Sequence, residues 1–260
     1  MNQQEPHNAL IIDQFSKQSV PFTKVSGHLD AIDTLIMMSS VTAIHSVLDV
    51  ACGPGLVACE FAKVAERVVG LDVTPAMLNV ARNRQQELGL NNIEWKIGDA
   101  LQLPFDEESF DIVVTRYSFH HLLDPSLAIK ELMRVCKTGG TVLIADVCMP
   151  AEKSANYDRL ELLRDPSHTH ALTEVEFDDL FGKSGLQSCR FTKSIVKIDL
   201  EEQLKASFPD RGGSEQIRQI ITSDIGHDQL GINAYREAGK IYYSVPIRIY
   251  VGDKQGIVSS

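Results

Sequence analysis

Three acidic residues, each at the end of a short apolar run, carry the most chemically suggestive pattern in this chain. The first is Asp49 in Asp49-Val-Ala-Cys-Gly-Pro-Gly55. Behind it Ala51, Gly53 and Gly55 make a turn of small residues, where the backbone can bend sharply and approach a ligand closely. Gly53-Pro-Gly-Leu-Val-Ala58 also has the G-x-G-x-x-A spacing of a dinucleotide fingerprint. Asp49 argues against that reading, because a carboxylate at the mouth of the turn repels a pyrophosphate and suits an ammonium group. The second acid is Asp72 in Gly70-Leu-Asp72, placed to accept hydrogen bonds from ribose hydroxyls. A solvated turn or helix-capping aspartate is the plainer alternative. The third is Asp99 in Gly98-Asp-Ala-Leu-Gln-Leu-Pro104, which can accept from an exocyclic adenine amine, with Ala100 and Leu101 as apolar contacts to the ring.

A second kind of chemistry lies in Arg116-Tyr-Ser-Phe-His-His121. An imidazole titrates near neutrality and can serve as a general base. His120 and His121 are adjacent, so in a helix they cannot face one point; one would face the pocket while the other packs. Two structural histidines are the competing reading. Arg164-Asp-Pro-Ser-His-Thr-His170 is another polar cluster, in which His168 and His170 either touch a substrate or brace a capped turn. His28 has similar standing. Arg211-Gly-Gly213 either grips an anionic acceptor or forms a surface turn.

The elements that must position these residues follow from periodicity. Strands are expected at 46–50, 67–72, 93–97, 110–115 and 141–146. Helices lie between them: one through 60–66, one opened by Thr74-Pro75 and stopped at Gly89, and one opened by Asp124-Pro125 and ending before Gly139-Gly140. Strand–helix alternation over 46–148 predicts a doubly wound, mostly parallel sheet covered on both faces. Upstream, helices are expected around 11–15 and 30–38. Downstream, Thr173-Glu-Val-Glu176 is a capping box before a helix to about 184, and strands follow at 187–198 and 245–251. The helical stretch between those two strands is too long for a hairpin loop.

Bulk properties narrow the class. The chain has 260 residues, 43% of them hydrophobic, which suits an ordinary globular fold. The net charge of -10 lacks the basic footprint of a nucleic-acid binder and moves the expectation toward a small molecule. No apolar run reaches a membrane span and residues 1–8 lack a signal-peptide pattern, so a cytoplasmic location is expected, as a monomer or homodimer. Five cysteines without a CxxC pair predict reduced thiols, with no metal site and no disulfide framework.

Taken together, Val47-Leu-Asp-Val-Ala-Cys-Gly-Pro-Gly55, Val69-Gly-Leu-Asp72, Gly98-Asp-Ala-Leu-Gln-Leu-Pro-Phe105, Ser109-Phe-Asp-Ile-Val113 and Asp146 resemble class I S-adenosylmethionine-dependent methyltransferases. The branch they look most like contains the ubiquinone/menaquinone C-methyltransferases and their uncharacterised bacterial relatives. The resemblance covers about residues 10–198 and implies a seven-stranded sheet with its last strand antiparallel. It implies an N-terminal helical lid over 1–45, a cofactor-binding core over 46–150, and a part at 151–260 that completes the sheet and carries a helical substrate-side insert at about 199–243. It further implies S-adenosylmethionine held by Asp49, Gly53 and Gly55 at its methionine side, by Asp72, Val73 and Met77 along the ribose and adenosine, and by Asp99 and Ala100 at adenine. Arg116 would sit by the sulfonium, and Phe22 and Thr23 in the lid. The expected activity is methylation of a small molecule at O, N or C. An NAD(P)-dependent oxidoreductase, a non-catalytic cofactor-binding module, and a protein or RNA methyltransferase are the rivals.

Overall fold

Short apolar runs become the strands of one sheet, its centre buried on both faces. In the computed structural model, which describes residues 3–21 and 31–255, β1 (Ser46–Val50), β2 (Arg67–Asp72), β3 (Ile93–Ile97), β4 (Phe110–Arg116) and β5 (Cys136–Val147) are parallel, in the order β3-β2-β1-β4-β5. Beyond β5 lie β8 (Lys240–Asp253), antiparallel to it, and β6 (Gln187–Asp199), antiparallel to β8 at the sheet edge. Because β2 and β4 flank β1 on opposite sides, the strand order reverses at β1 and opens a crevice at the carboxyl ends of the strands. Phe22, Thr23 and His28 lie outside the described residues.

Two apolar layers sandwich the sheet. Along β4, Ile112 and Val114 pack with Leu35 and Phe61, while Val113 packs with Phe119, Ile129, Leu132 and Phe177. The first layer draws on α2 (Ile32–Ser39), α3 (Leu56–Ala62) and α6 (Ala151–Arg164); the second draws on α5 (Pro125–Val135) and α7 (Glu174–Ser184). This alternation has the strand period of two. Each fully buried aliphatic or phenyl group contributes roughly 1.5–3 kcal/mol, enough in aggregate to hold costly buried carboxylates at the strand ends.

Local signals place the starts of three helices. Asp124 caps α5 by accepting from the Leu127 N–H at 2.9 Å, and α4 (Pro75–Glu87) begins on the proline after Thr74. Thr173 and Glu176 form the reciprocal capping box of α7. Among the described residues, no helix is long and apolar enough to cross a membrane.

Several features depart from the sequence reading: α3 ends at Ala62 instead of running through 66, and β8 begins at Lys240 instead of 245. β5 begins at Cys136, not Thr141, and runs through Gly139-Gly140 beside an irregularity in its pairing with β4. A side chain at Gly140 would stand 2.6 Å from the Asp111 carbonyl, so glycine lets the two backbones approach. The sheet also has an eighth strand, β7 (Tyr235–Glu237), joined to β8 by Ala238 (φ 50) and Gly239 (φ 79). Two left-handed residues make a tight hairpin turn; Ala-Gly is a weaker written signal for it than Asn-Gly. Finally, α6 lies in a stretch assigned to no element, and the insert contains α8 (Leu200–Ala206) and α9 (Gly213–Asp224).

Candidate functional site

At the carboxyl end of β1 the backbone is bent by three left-handed residues, Ala51 (φ 54), Gly53 (φ 52) and Gly55 (φ 76). Trp95 of β3 fixes the underside of this turn. A side chain at Gly55 would lie 2.6 Å from its ring and one at Gly70 2.3 Å, while its Nε1 donates to Gln85 Oε1 at 2.6 Å. Gly53 is different: a Cβ there would meet nothing within 4 Å.

The three acids reach one cavity, which Ala51, Gly53, Val73, Met77, Gly98, Ala100 and Arg116 also line. Gly55 stands outside that lining, against Trp95. Asp49 is buried, and its Oδ2 accepts from the Ala58 N–H at 2.9 Å in the first turn of α3. Burial pushes its carboxyl up to about 7, against the pull of the Arg116 charge and the Ala58 hydrogen bond. Asp72 accepts the Gly53 N–H on one oxygen and the Thr74 N–H on the other, both at 2.8 Å. Burial raises its pKa and those N–H bonds restrain the rise. Each oxygen keeps a further lone pair for a ligand. Asp99 accepts the Leu101 N–H at 2.8 Å, and its other oxygen takes the side-chain amides of Asn8 (2.7 Å) and Gln4 (3.2 Å). Those amides belong to α1 (Gln4–Gln18), whose residues Gln4, Asn8, Ile11, Phe15 and Gln18 cover the cavity from one helical face.

The histidines sit on a short 3-10 turn, Phe119–His121, after β4. Asp146, at the end of β5, anchors it: one carboxylate oxygen accepts the Phe119 N–H at 2.7 Å, the other contacts His120 Nδ1 at 2.5 Å. A carboxylate at Nδ1 selects the tautomer that leaves Nε2 as the acceptor in the neutral ring. Burial draws the His120 pKa down, but the charge and hydrogen bond of Asp146, with the charge of Glu161, carry it above the ordinary histidine value. His121 also reaches the cavity wall but lies edge-on to Phe15 at 5.1 Å, with its Nδ1 3.1 Å from Ser167 Oγ. Burial and the neighbouring His120 charge drive its pKa well down. Both rings thus reach the cavity, rather than one facing it and one packing away; they differ in their partners, His120 meeting Asp146 and His121 packing edge-on to Phe15.

The 164–170 cluster braces this turn. Thr169 donates its N–H to the His120 carbonyl at 2.8 Å. His168 Nε2 and His170 Nδ1 grip the two oxygens of Asp158 at 2.8 and 2.7 Å, and neither histidine lines the cavity. The Asp158 hydrogen bond, set against burial, lifts His170 to about 9. Arg211 precedes Gly212 (φ 87), the residue that turns the chain into α9.

The far wall is only partly legible in the sequence: the 199–243 insert expected on the substrate side supplies Gln203 and Tyr243, and the polar cluster at 164–170 supplies Arg164, whereas Tyr157 and Glu161 lie in a stretch given no element. Tyr157, Glu161 and Arg164 of α6, Gln203 of α8 and Tyr243 of β8 line the same cavity, above an aliphatic floor of Val147, Val196, Ile198, Val245 and Ile247. Arg164 Nε donates to Glu161 Oε2 at 2.9 Å, and its Nη2 donates to the same oxygen. The i, i+3 spacing of Glu161-Leu-Leu-Arg164 was the available signal, readable only once that stretch is known to be helical.

The Methyltransferase domain family matches residues 48–144. The uncharacterized methyltransferase YcgJ of Bacillus subtilis is 32% identical over 252 residues, spanning 93% of this chain and 98% of that protein. The crystal structure of YcgJ aligns with a TM-score of 0.77 at 28% identity, covering 88% of this chain and all of that one. The ubiquinone/menaquinone biosynthesis C-methyltransferase UbiE of Pseudomonas putida is 29% identical over 204 residues, 76% of each chain. These likenesses set aside the dinucleotide reading of the glycine turn. With near-full-length similarity to a methyltransferase, and buried acids at the switch point of the sheet, the chain belongs to the class I S-adenosylmethionine-dependent methyltransferases.

Proposed function

We propose that this protein methylates a small molecule that must surrender a proton, with His120 as the general base and Asp146 as the group that orients it. The observation that carries the reading is the 2.5 Å contact between His120 Nδ1 and Asp146, on the wall of the cavity that the acidic strand ends also reach. When bound, S-adenosylmethionine supplies a methyl carbon on a sulfonium, and in-line displacement returns the S–C electron pair to sulfur. The residues present fit that cofactor. Asp72 has acceptor capacity left for two ribose hydroxyls. Asp49 offers a buried carboxyl for the ammonium, and Arg116, whose charge reaches Asp49, complements the carboxylate. The open space over Gly53 admits a ligand against the backbone. Val73, Met77 and Ala100 give apolar walls for adenosine, and Asp99 an acceptor for its amine.

Under this reading α1 closes the chamber against water, and the turn braced by Thr169 holds His120 towards the acceptor. The neutral Nε2 of His120 takes the acceptor's proton as its lone pair attacks the methyl carbon. Asp146 stabilises the imidazolium that results. Positioning supplies the remaining acceleration. A cavity covered along one side by α1 and a strongly acidic chain favour a small acceptor over protein or RNA.

Incubation with methyl-labelled S-adenosylmethionine and fractionated cell extract tests this. Label should enter the small-molecule fraction, and substitution His120→Gln should slow the transfer by roughly 10²–10⁴. Label confined to protein or RNA, or binding of NADH without S-adenosylhomocysteine, overturns it.

A further inference from the structure

The far wall of the chamber states what kind of acceptor fits. Every charged group there already has its own partner. Arg164 is held by Glu161 and feels the charge of Asp165 as well. Asp165 accepts from Ser167 N–H at 2.9 Å, Ser167 Oγ at 2.6 Å and Gln18 Nε2 at 3.2 Å. Asp146 is committed to His120 and to the N–H groups of Phe119 and Val147. An anionic acceptor would thus find no uncompensated cation, and an ammonium no carboxylate lacking donors. Either would lose its water for nothing. A neutral molecule meets what remains: five aliphatic side chains beneath it, the phenols of Tyr157 and Tyr243, and Gln203, whose buried amide oxygen has no hydrogen-bond partner.

We infer that the acceptor is an uncharged molecule with an apolar body and a hydrogen-bonding head, and that the Glu161–Arg164 pair enforces this selection by cancelling its own charge inside the chamber. The inference rests on the reading of this cavity as the acceptor site. Its consequence is that breaking the pair from either side re-tunes the chamber in opposite directions. Glu161→Gln removes the carboxylate bonded to Arg164, leaving it only the charge of Asp165, and should shift the chamber toward anions. Arg164→Met leaves Glu161 in excess and should admit cations.

Three probes of one shape separate these cases at neutral pH: naphthol, naphthoate and naphthylmethylammonium, titrated by calorimetry into the full-length protein with and without S-adenosylhomocysteine. The unaltered protein should bind naphthol about tenfold or more tighter than either ion. Glu161→Gln should raise naphthoate affinity by about tenfold, and Arg164→Met should do the same for the ammonium probe. Each variant's melting curve shows whether it is folded, and either one suffices, since the expected shifts have opposite sign. Naphthoate or the ammonium probe binding the unaltered protein as tightly as naphthol overturns the inference. So does naphthol failing to bind, or a folded variant with unchanged selectivity. Tight S-adenosylhomocysteine binding beside any of those results overturns the acceptor claim alone. Failure of S-adenosylhomocysteine to bind overturns the methyl-transfer reading and the acceptor claim with it.

Discussion

Asp49 and Asp72, on the proposed cofactor side of the cavity, are held by backbone N–H groups within nineteen residues; on the proposed acceptor side, His120 and Asp165 take side-chain partners from distant stretches of chain. Asp72 bonds Thr74 two residues on and Gly53 nineteen back, and Asp49 bonds Ala58 nine on. By contrast His120 meets Asp146 twenty-six residues away, and Gln18 meets Asp165 at a separation of 147. Backbone groups cannot be mutated away, so the first arrangement fixes the acids independently of the surrounding side chains. Side-chain partners can be exchanged one at a time, so the second can be re-tuned without disturbing the sheet. A protein built this way can keep one cofactor and change its acceptor.

That contrast predicts separable failures. The largest is expected at His120. On the proposed reading, His120→Gln lowers kcat by roughly 10²–10⁴ while S-adenosylhomocysteine affinity, read from the fluorescence of Trp95, stays within about threefold. A comparable loss of affinity would mean that His120 is a cofactor contact and not a base. Because Asp146 helps hold the His120 pKa up, the rate should rise with pH as the imidazolium deprotonates, at a point above the ordinary histidine value. Asp146→Asn should move that rise to lower pH as well as slowing the reaction; an unmoved profile would remove the pairing from the mechanism.

Next in size is Asp72→Ala, on the other side of the divide. Losing a charged acceptor shared by two ribose hydroxyls should weaken S-adenosylhomocysteine by about 100-fold. It also strips the Gly53 and Thr74 N–H groups of their partner. Calorimetric affinity unchanged by the substitution would end the ribose role.

The same divide explains what the sequence made legible. β1, β2 and β3 have the limits expected from their apolar runs, and α5 and α7 start where a capping aspartate and a capping box stand. Those are local signals, and the acids proposed to hold the cofactor inherit their positions from them. The wall formed by Tyr157, Glu161, Arg164, Gln203 and Tyr243 is assembled from three elements that meet only in the folded chain. No spacing within one element announces such a meeting. Gly55 was misread for the opposite reason. Its place in a ligand-binding motif suggested a ligand contact, whereas its missing side chain makes room for Trp95, a residue forty positions away.

A smaller effect concerns protonation on the cofactor side. Asp49 has its carboxyl pushed up to about 7 by burial. An ammonium bound beside it would favour the ionised form and lower that value. Binding should therefore release a proton near neutrality, and affinity for S-adenosylhomocysteine should fall by up to about tenfold per pH unit below about 7. Titrations in buffers of different ionisation enthalpy measure the released proton directly. Affinity flat between pH 5 and 8 would show that Asp49 does not meet the ammonium.

A last contrast separates two glycines of one motif. Both are left-handed, so alanine at either should cost about 1–2 kcal/mol. At Gly55 the added Cβ also lies 2.6 Å from the Trp95 ring and 3.0 Å from Ala81 Cβ. Overpacking there should add roughly 1–3 kcal/mol, seen as an earlier denaturation midpoint and an altered Trp95 emission. At Gly53 the Cβ meets no protein atom within 4 Å, so no such addition is expected. It would instead project into space that the proposed cofactor needs. Gly53→Ala should therefore be the more stable variant and the weaker binder, and Gly55→Ala the reverse. If the two lose stability equally and bind equally, the turn does not divide its glycines between packing and ligand.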